Sequence, residues 1–269
     1  NNQNMKIYDC IMYYDDELTL SLRLNILDKY IDKFVIVEAT RDHAGNIKKL
    51  NFDKKKFLKF EKKIIYLVVN DIPEKVEHYK KGWSPNFFRE NFHRDTISRA
   101  LTDCNPNDLI IISDADEIPN LEILENTKIN KYAIFAQNHF CYKINLFKSY
   151  NWLGSSICYK KYLKSPQWLR NKRFLRRGFL RKIFFKTQIL KNGGWHFSYL
   201  KTPEDMAKKV KAYAHGEHAE LGNVELIKKN IDMNRLFVSP EHELFKIPLD
   251  DTFPLYIREN KAILSDWIL

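Results

Sequence analysis

The first half of the chain alternates short apolar runs of strand length with segments whose apolar residues recur at helical spacing. Residues 6–14 (KIYDCIMYY) read as a strand. Residues 17–30 set Leu18, Leu22, Ile26 and Leu27 on one helical face, with Asp15 or Asp16 as the N-cap. Lys33–Ala39 and Ile64–Val69 are short β-rich runs, residues 87–101 predict a helix, and residues 109–112 (LIII) predict a fully apolar strand. Repeated strand–helix–strand order predicts an α/β fold, Rossmann-like, with a mostly parallel sheet and helices on both faces.

Beyond residue 130 the pattern changes. Residues 132–144 are aromatic and strand-like, and a basic stretch of weaker periodicity follows. Helices are expected at Pro203–Tyr213 and 224–233, and a tail at 236–269, rich in Pro, Phe and Leu, is expected to pack back on the body. No internal repeat and no Gly/Ser linker divides the 269 residues, so a single domain is expected.

Composition adds limits. Hydrophobic residues at 44% and charged residues at 29% are ordinary for a soluble globular chain. No apolar run reaches eighteen residues, and the N-terminus lacks a signal-peptide core. Cys10, Cys104, Cys141 and Cys158 form no C-x-x-C pair, which argues against zinc and for free thiols in a reducing compartment. Asn-x-Ser/Thr is absent as well, so a cytoplasmic location is expected. The net charge of +11 is uneven: residues 126–203 hold 17 Lys and Arg and no Asp or Glu, while the remainder is net acidic. That asymmetry predicts an anionic partner for the basic stretch.

The sharpest chemical signal is the run of residues 109–119, LIIISDADEIP, in which a buried strand leads straight into three carboxylates. Ligands of open α/β sheets bind beyond the carboxyl ends of the strands. Asp114 and Asp116, one residue apart, can offer oxygen ligands to Mg²⁺ or Mn²⁺, which would offset charge on a leaving nucleoside diphosphate. The bland alternative is an N-cap or solvated turn. A second motif, residues 193–199 (GGWHFSY), places two glycines, which permit close backbone approach, before His196, a further candidate ligand. On spacing alone a hydrogen-bonded core histidine is the commoner outcome.

These motifs occur together with others. Tyr8-Asp9-Cys10, Glu17-Leu18, Leu22-Arg23-Leu24-Asn25 and residues 32–38 (DKFVIVE), followed by Thr40, His43 and Gly45, resemble the opening of glycosyltransferase family 17. Residues 114–119 (DADEIP), Trp152, Gly154, Ser165-Pro166-Gln167 and residues 194–198 (GWHFS) are similar to its later motifs, in the same order. That family includes the β-1,4-mannosyl-glycoprotein 4-β-N-acetylglucosaminyltransferases. The resemblance implies a GT-A fold, a Mn²⁺-dependent inverting mechanism, UDP-N-acetylglucosamine as donor and a glycan as acceptor. It divides the chain into a nucleotide-sugar half, about 5–125, and an acceptor-side half, about 126–269. The chain lacks the membrane anchor and luminal cysteines of the animal enzymes, so a bacterial or viral enzyme acting on a surface glycan is expected.

Roles follow from that resemblance. Asp116 is the first metal ligand, Asp114 the second or a ribose contact, and His196 would complete the shell. Glu38, at a strand end, is a candidate for base or ribose, with Arg41 and His43 in the loop after it. Arg94 could pair with Glu90 at i,i+4, reach the diphosphate or steady the aspartates. An inverting transfer needs a carboxylate base. Residues 126–203 offer none, which leaves Glu217, then Glu117, then Glu204 or Asp205 in a capped helix start.

The stretch 159–186 interleaves cations with aromatic and aliphatic residues. It is either a partly buried segment with a solvated basic face or a peripheral contact with an anionic membrane, at the inner face, where a lipid-linked acceptor would be met. The non-enzyme alternative is a basic protein that binds nucleic acid or anionic lipid without transferase activity. It leaves the carboxylate and histidine motifs without a purpose, so no nucleic acid is expected as partner. A metal-dependent phosphohydrolase would call for more ligands than these motifs offer.

Overall fold

The computed structural model describes residues 5–76, 84–176, 187–213 and 222–269. The predicted strands form as β1 (Ile7–Tyr13), β2 (Lys33–Ala39), β3 (Ile64–Val69) and β4 (Leu109–Ser113), hydrogen-bonded in the order β3-β2-β1-β4 and all parallel. Their side chains alternate between faces, as strand geometry requires. Ile11, Phe34, Ile36 and Ile111 pack beneath α1 (Glu17–Leu27). Cys10, Val35, Val37, Ile110 and Ile112 pack on the other face, toward the segment after α2 (Pro85–Asp95). Both faces are therefore buried, which is why these strands read as continuous apolar runs.

The sheet continues past β4. β5 (Glu117–Pro119), β6 (Tyr132–Cys141), β7 (Leu146–Tyr159), β8 (Gln188–Leu190) and β9 (Gly194–Ser198) extend it in the order β4-β7-β6-β9-β5. β7 runs antiparallel to both neighbours, whereas β8 and β9 pair parallel to β6. The result is a mostly parallel α/β sheet, flanked by helices, with an antiparallel seam along β7. α3 (Pro166–Asn171), α4 (Pro203–Tyr213) and α5 (Val224–Asp232) follow. β10 (Arg235–Leu236) and β11 (Ser239–Glu243) form a small separate pair, and β12 (Phe245–Lys246) joins β7. The tail packs back through α6 (Leu255–Glu259), whose Ile257 is buried in the same core as α1. Among the described residues no helix is long and apolar enough to cross a membrane.

Two local expectations are corrected. The helix expected to run to residue 101 ends at Asp95 and tightens into a 3₁₀ turn, Thr96–Ala100, where the Thr96 hydroxyl donates to His93 O at 2.6 Å. Asp16 occupies the N-cap position of α1 but makes no capping bond, because its carboxylate faces Lys201 and Lys209, each at 3.2 Å.

The core also contains an ion pair. Arg23 on α1 reaches Asp9 on β1 with two bonds of 2.6 Å and donates a third, 2.6 Å, to the carbonyl of Glu117. Arg23 is fully buried and Asp9 is 1% exposed. Removing one member strands the other charge away from water, at a cost of roughly 3–5 kcal/mol. Arg23→Met is therefore expected to lower unfolding free energy by about that much in urea titrations, and Arg23→Met with Asp9→Leu by less. Equal losses in the single and double variants would mean that the Glu117 carbonyl, and not Asp9, is the partner that matters.

Candidate active site

A cleft of about 500 Å³ opens beyond the carboxyl ends of β1 and β4, where open α/β sheets bind ligands. Asp114 and Asp116 reach it from a tight turn, closed by the Glu117 amide donating to Asp114 O at 3.0 Å. The turn separates the two aspartates. Asp114 turns toward arginines: its Oδ1 accepts from Arg94 at 3.1 Å and its Oδ2 from Arg170 at 2.6 Å. Asp116 turns toward β9, where its Oδ2 lies 3.4 Å from His196 Nε2.

Behind this turn sits Glu117, fully buried on β5. Its carboxylate accepts from Arg170 at 2.6 Å, from the Trp152 indole at 2.9 Å and from the Asp114 amide at 3.1 Å. Arg173 approaches to 3.7 Å. Arg170, itself fully buried on α3, also donates to Gly154 O at 2.6 Å. A side chain at Gly154 would collide with Gln137, its Cβ falling 1.8 Å from Oε1. Gly194, at φ +118°, lets β9 approach β5; a Cβ there would lie 2.2 Å from Ile118 O.

Electrostatics follow the geometry. Burial alone would raise the Asp114 pKa, but Arg170, then Arg94 and Arg173, outweigh it and hold the carboxyl well below the usual carboxylate range. His139 on β6 stacks on His196, with ring centroids 4.2 Å apart, and both rings bond the Ser198 hydroxyl, at 2.8 and 3.0 Å. Burial, followed by the charge of His196, pushes the His139 pKa down to about 2, so that ring is neutral. On the far wall His43 Nε2 meets His93 Nδ1 at 3.3 Å, and burial lowers both pKa values, His93 to about 3.

The residues expected from the sequence divide as follows. Asp114, Asp116, Arg41, His43 and Arg94 all line the cleft, and His196 backs Asp116. Of the three roles considered for it, Arg94 makes the bond to Glu90, at 2.7 Å, and the one to Asp114, and it also donates to Gln167. Glu38 is corrected: it is fully buried and accepts from Lys48, Tyr66 and the amides of Asn51 and Phe52, so it anchors the loop after β2 rather than facing a ligand. Asp114 accepts one guanidinium bond on each oxygen, whereas Asp116 accepts none among the described residues, so Asp116 is the freer of the two candidate metal ligands. Glu117 is unsuited to be a base, being buried and satisfied by donors. Glu204 pairs with Lys228 at 3.0 Å, and the Asp205 amide is capped by Thr202. Glu217 lies outside the described residues.

Arg170, His139 and the Asp16–Lys201–Lys209 cluster at the cleft were missed. Arg170 stands in the stretch read as a partly buried segment with a solvated basic face; Arg170 and Lys172 turn inward, while Lys161 and Lys164 stay exposed. Lys172 is 9% exposed, its ammonium 4.3 Å from the Trp168 ring centroid. The signal available was Ser165-Pro166, the start of a helix just before Arg170. Ser165 does cap α3 through the Trp168 amide.

Among the described residues no group of three His, Cys, Asp or Glu is arranged to hold a metal. Asp116 and His196 nevertheless offer an oxygen and a nitrogen donor side by side, suited to a divalent ion whose remaining ligands come from substrate and water.

A ligand cleft at this end of a mostly parallel sheet, lined by carboxylates, arginines and histidines, is the layout of an α/β enzyme. The model of glycosyltransferase family 17 matches residues 1–237, and the chain belongs to that family. No curated protein matches it. Chains in solved structures do match, among them the glycosyltransferase GlyE of Streptococcus pneumoniae TIGR4, 13% identical with a TM-score of 0.34. That match covers 98% of this chain and 63% of GlyE, so the chain spans less than two thirds of its length.

The depressed Asp114 pKa sets a pH signature. Its ionic contribution to stability is complete above the unfolded value near 3.9 and is lost as pH falls toward the lower folded value. The stability gap between wild type and Asp114→Asn is expected to stay level from about pH 5 to 8 and to narrow below about pH 4, read by urea unfolding. A gap that closed between about pH 6 and 7 would assign the dependence to a histidine instead.

Proposed function

We propose that the protein transfers N-acetylglucosamine from UDP-N-acetylglucosamine to a glycan acceptor, with inversion, in a divalent-metal-assisted reaction on a fold of the GT-A type. The observation that carries this reading is the pairing of Asp116 with His196 at the edge of the cleft. Asp116 is a quarter exposed there and carries no guanidinium partner among the described residues. Asp116 and His196 would hold Mn²⁺ or Mg²⁺, which supplies positive charge against the leaving diphosphate. Asp114 keeps Arg94 and Arg170 in place beneath the site. Arg41 and His43, on the opposite wall, are positioned to meet the donor.

In the transfer, the acceptor hydroxyl attacks the anomeric carbon, the bond from that carbon to the diphosphate oxygen breaks, and a carboxylate takes the hydroxyl proton. Two carboxylates remain for that task. Glu217 is the one proposed from the sequence. Glu90, a third exposed at the cleft and paired with Arg94, is the other. Asp16 is a poorer choice. Although its burial opposes the effect, Lys209 and Lys201 lower its pKa.

Calorimetry with UDP-N-acetylglucosamine, UDP-glucose and GDP-mannose, each with and without Mn²⁺, tests the donor reading. Manganese-dependent binding of UDP-N-acetylglucosamine is expected, lost in Asp116→Ala and kept in Glu38→Gln. Binding that survives in Asp116→Ala would remove the metal assignment, and binding of none of the three would remove the donor class.

The base is tested by turnover. Glu217→Gln is expected to lower kcat by about 10²–10⁴-fold with donor affinity unchanged. If Glu90→Gln has that effect and Glu217→Gln does not, the base lies on α2.

A further inference from the structure

β9 has two faces with different neighbours. His196 looks toward Asp116, while Trp195, the residue before it, points to the opposite side of the sheet, as strand alternation requires. There it lines a second cavity of about 580 Å³, larger than the donor cleft and within the roughly 300–1,000 Å³ range of small-molecule sites. The walls come from the end of α1, the segment that follows β5, and residues 251–259 around α6. The family match ends at residue 237, so the last of these walls lies beyond it.

The lining has a definite chemical character. Four aromatic rings, Tyr30, Trp195, Phe253 and Tyr256, stand among amides and carboxylates. The Trp195 indole donates to Thr252 O at 3.0 Å, which fixes that ring against the tail. The Tyr30 hydroxyl is buried with no hydrogen bond of ordinary length. Neither the Asn138 side-chain amide nor the carboxylates of Asp251 and Glu259 are engaged by another described side chain. Both lining cations are occupied: Lys29 faces Glu122 at 3.4 Å, and Arg258 donates to Phe253 O at 3.1 Å.

Charge narrows the ligand. The chain carries +11, yet this cavity presents four carboxylates against two cations. A nucleotide, a phosphate or a sulfated chain would be repelled. Aromatic faces receive the C–H side of a sugar ring, and amides and carboxylates accept from its hydroxyls. We infer that the cavity is a second saccharide site, taking a neutral oligosaccharide on the sheet face opposite the donor cleft. The inference rests on the reading of the acceptor as a glycan. A chain held there by a segment remote from its reacting end has its effective concentration at the cleft raised without any new contact to the donor.

Ligand-observed NMR and calorimetry on the full chain, with maltotriose, mannotriose, chitotriose and a sulfated trisaccharide as probes, test the site. One neutral trisaccharide is expected to bind wild type and Asp116→Ala alike, without competition from UDP-N-acetylglucosamine, and the sulfated one to bind neither. Tyr256→Ala is expected to weaken that binding by about tenfold. The surface variant Asp251→Lys with Glu259→Lys should weaken it as well, and it guards against a folding defect in Tyr256→Ala. Protein that binds a UDP-sugar but none of the neutral trisaccharides overturns the inference. So does trisaccharide binding that is lost in Asp116→Ala and untouched in the tail variants, since the sugar then sits in the donor cleft. If binding follows Tyr256 while no nucleotide-sugar binds at all, the saccharide site stands and the donor reading falls.

Discussion

The site depends on the burial of Glu117. A carboxylate removed from water needs donors on every side, and one left short of them destabilises the fold by several kcal/mol. Arg170, Trp152 and the Asp114 amide meet that need, and each is delivered by a different element. α3 must lie against β7 for Arg170 to reach it. β7 must run antiparallel beside β4 for Trp152 to do so. Arg23, holding the Glu117 carbonyl from α1 while paired with Asp9, ties the same point to the other face of the sheet. The edge strand β5, which follows the Asp114–Asp116 turn, is therefore fixed from both sides before any ligand arrives.

The strands of the first half were legible because burial on both faces leaves an unbroken apolar run, and few other structures explain KFVIVEA or LIII. The motifs quoted at the outset do bring Asp114 and Asp116 to one cleft, with His196 behind Asp116. What could not be read was how charges distribute once the chain is folded. Arg170 and Lys172 stand in a stretch with no acidic residue within forty positions N-terminal to Arg170, so a partly buried segment whose cations face solvent was the natural reading. Arg170 finds Glu117 on β5 and Lys172 finds Tyr132 on β6, contacts that no local window contains, although Trp168, also under Lys172, is only four residues away. Glu38 misled in the converse way. A carboxylate at a strand end looks like a ligand-binding group, yet its acceptors are consumed by the loop that follows.

The two aspartates show why spacing is an incomplete guide. On an extended strand, residues two apart share a face, so Asp114 and Asp116 would act together. Here the strand has already ended at Ser113 and the chain turns between Asp114 and Glu117. The turn sends one carboxylate down into the arginines and leaves the other beside His196. On the proposed reading this division is useful, because an aspartate paired with guanidinium groups holds those cations near the place proposed for an anionic leaving group.

The same separation by backbone geometry operates on β9, at the scale of the whole sheet. Successive residues there have different neighbours: His196 backs Asp116 at the edge of one cavity, while Trp195 lines the other, walled by aromatic rings with a net negative lining. Because His196 and Trp195 share one short strand pinned to β5, neither can shift without moving the other. The pairing of β9 with β5 thus sets the places of both residues at once.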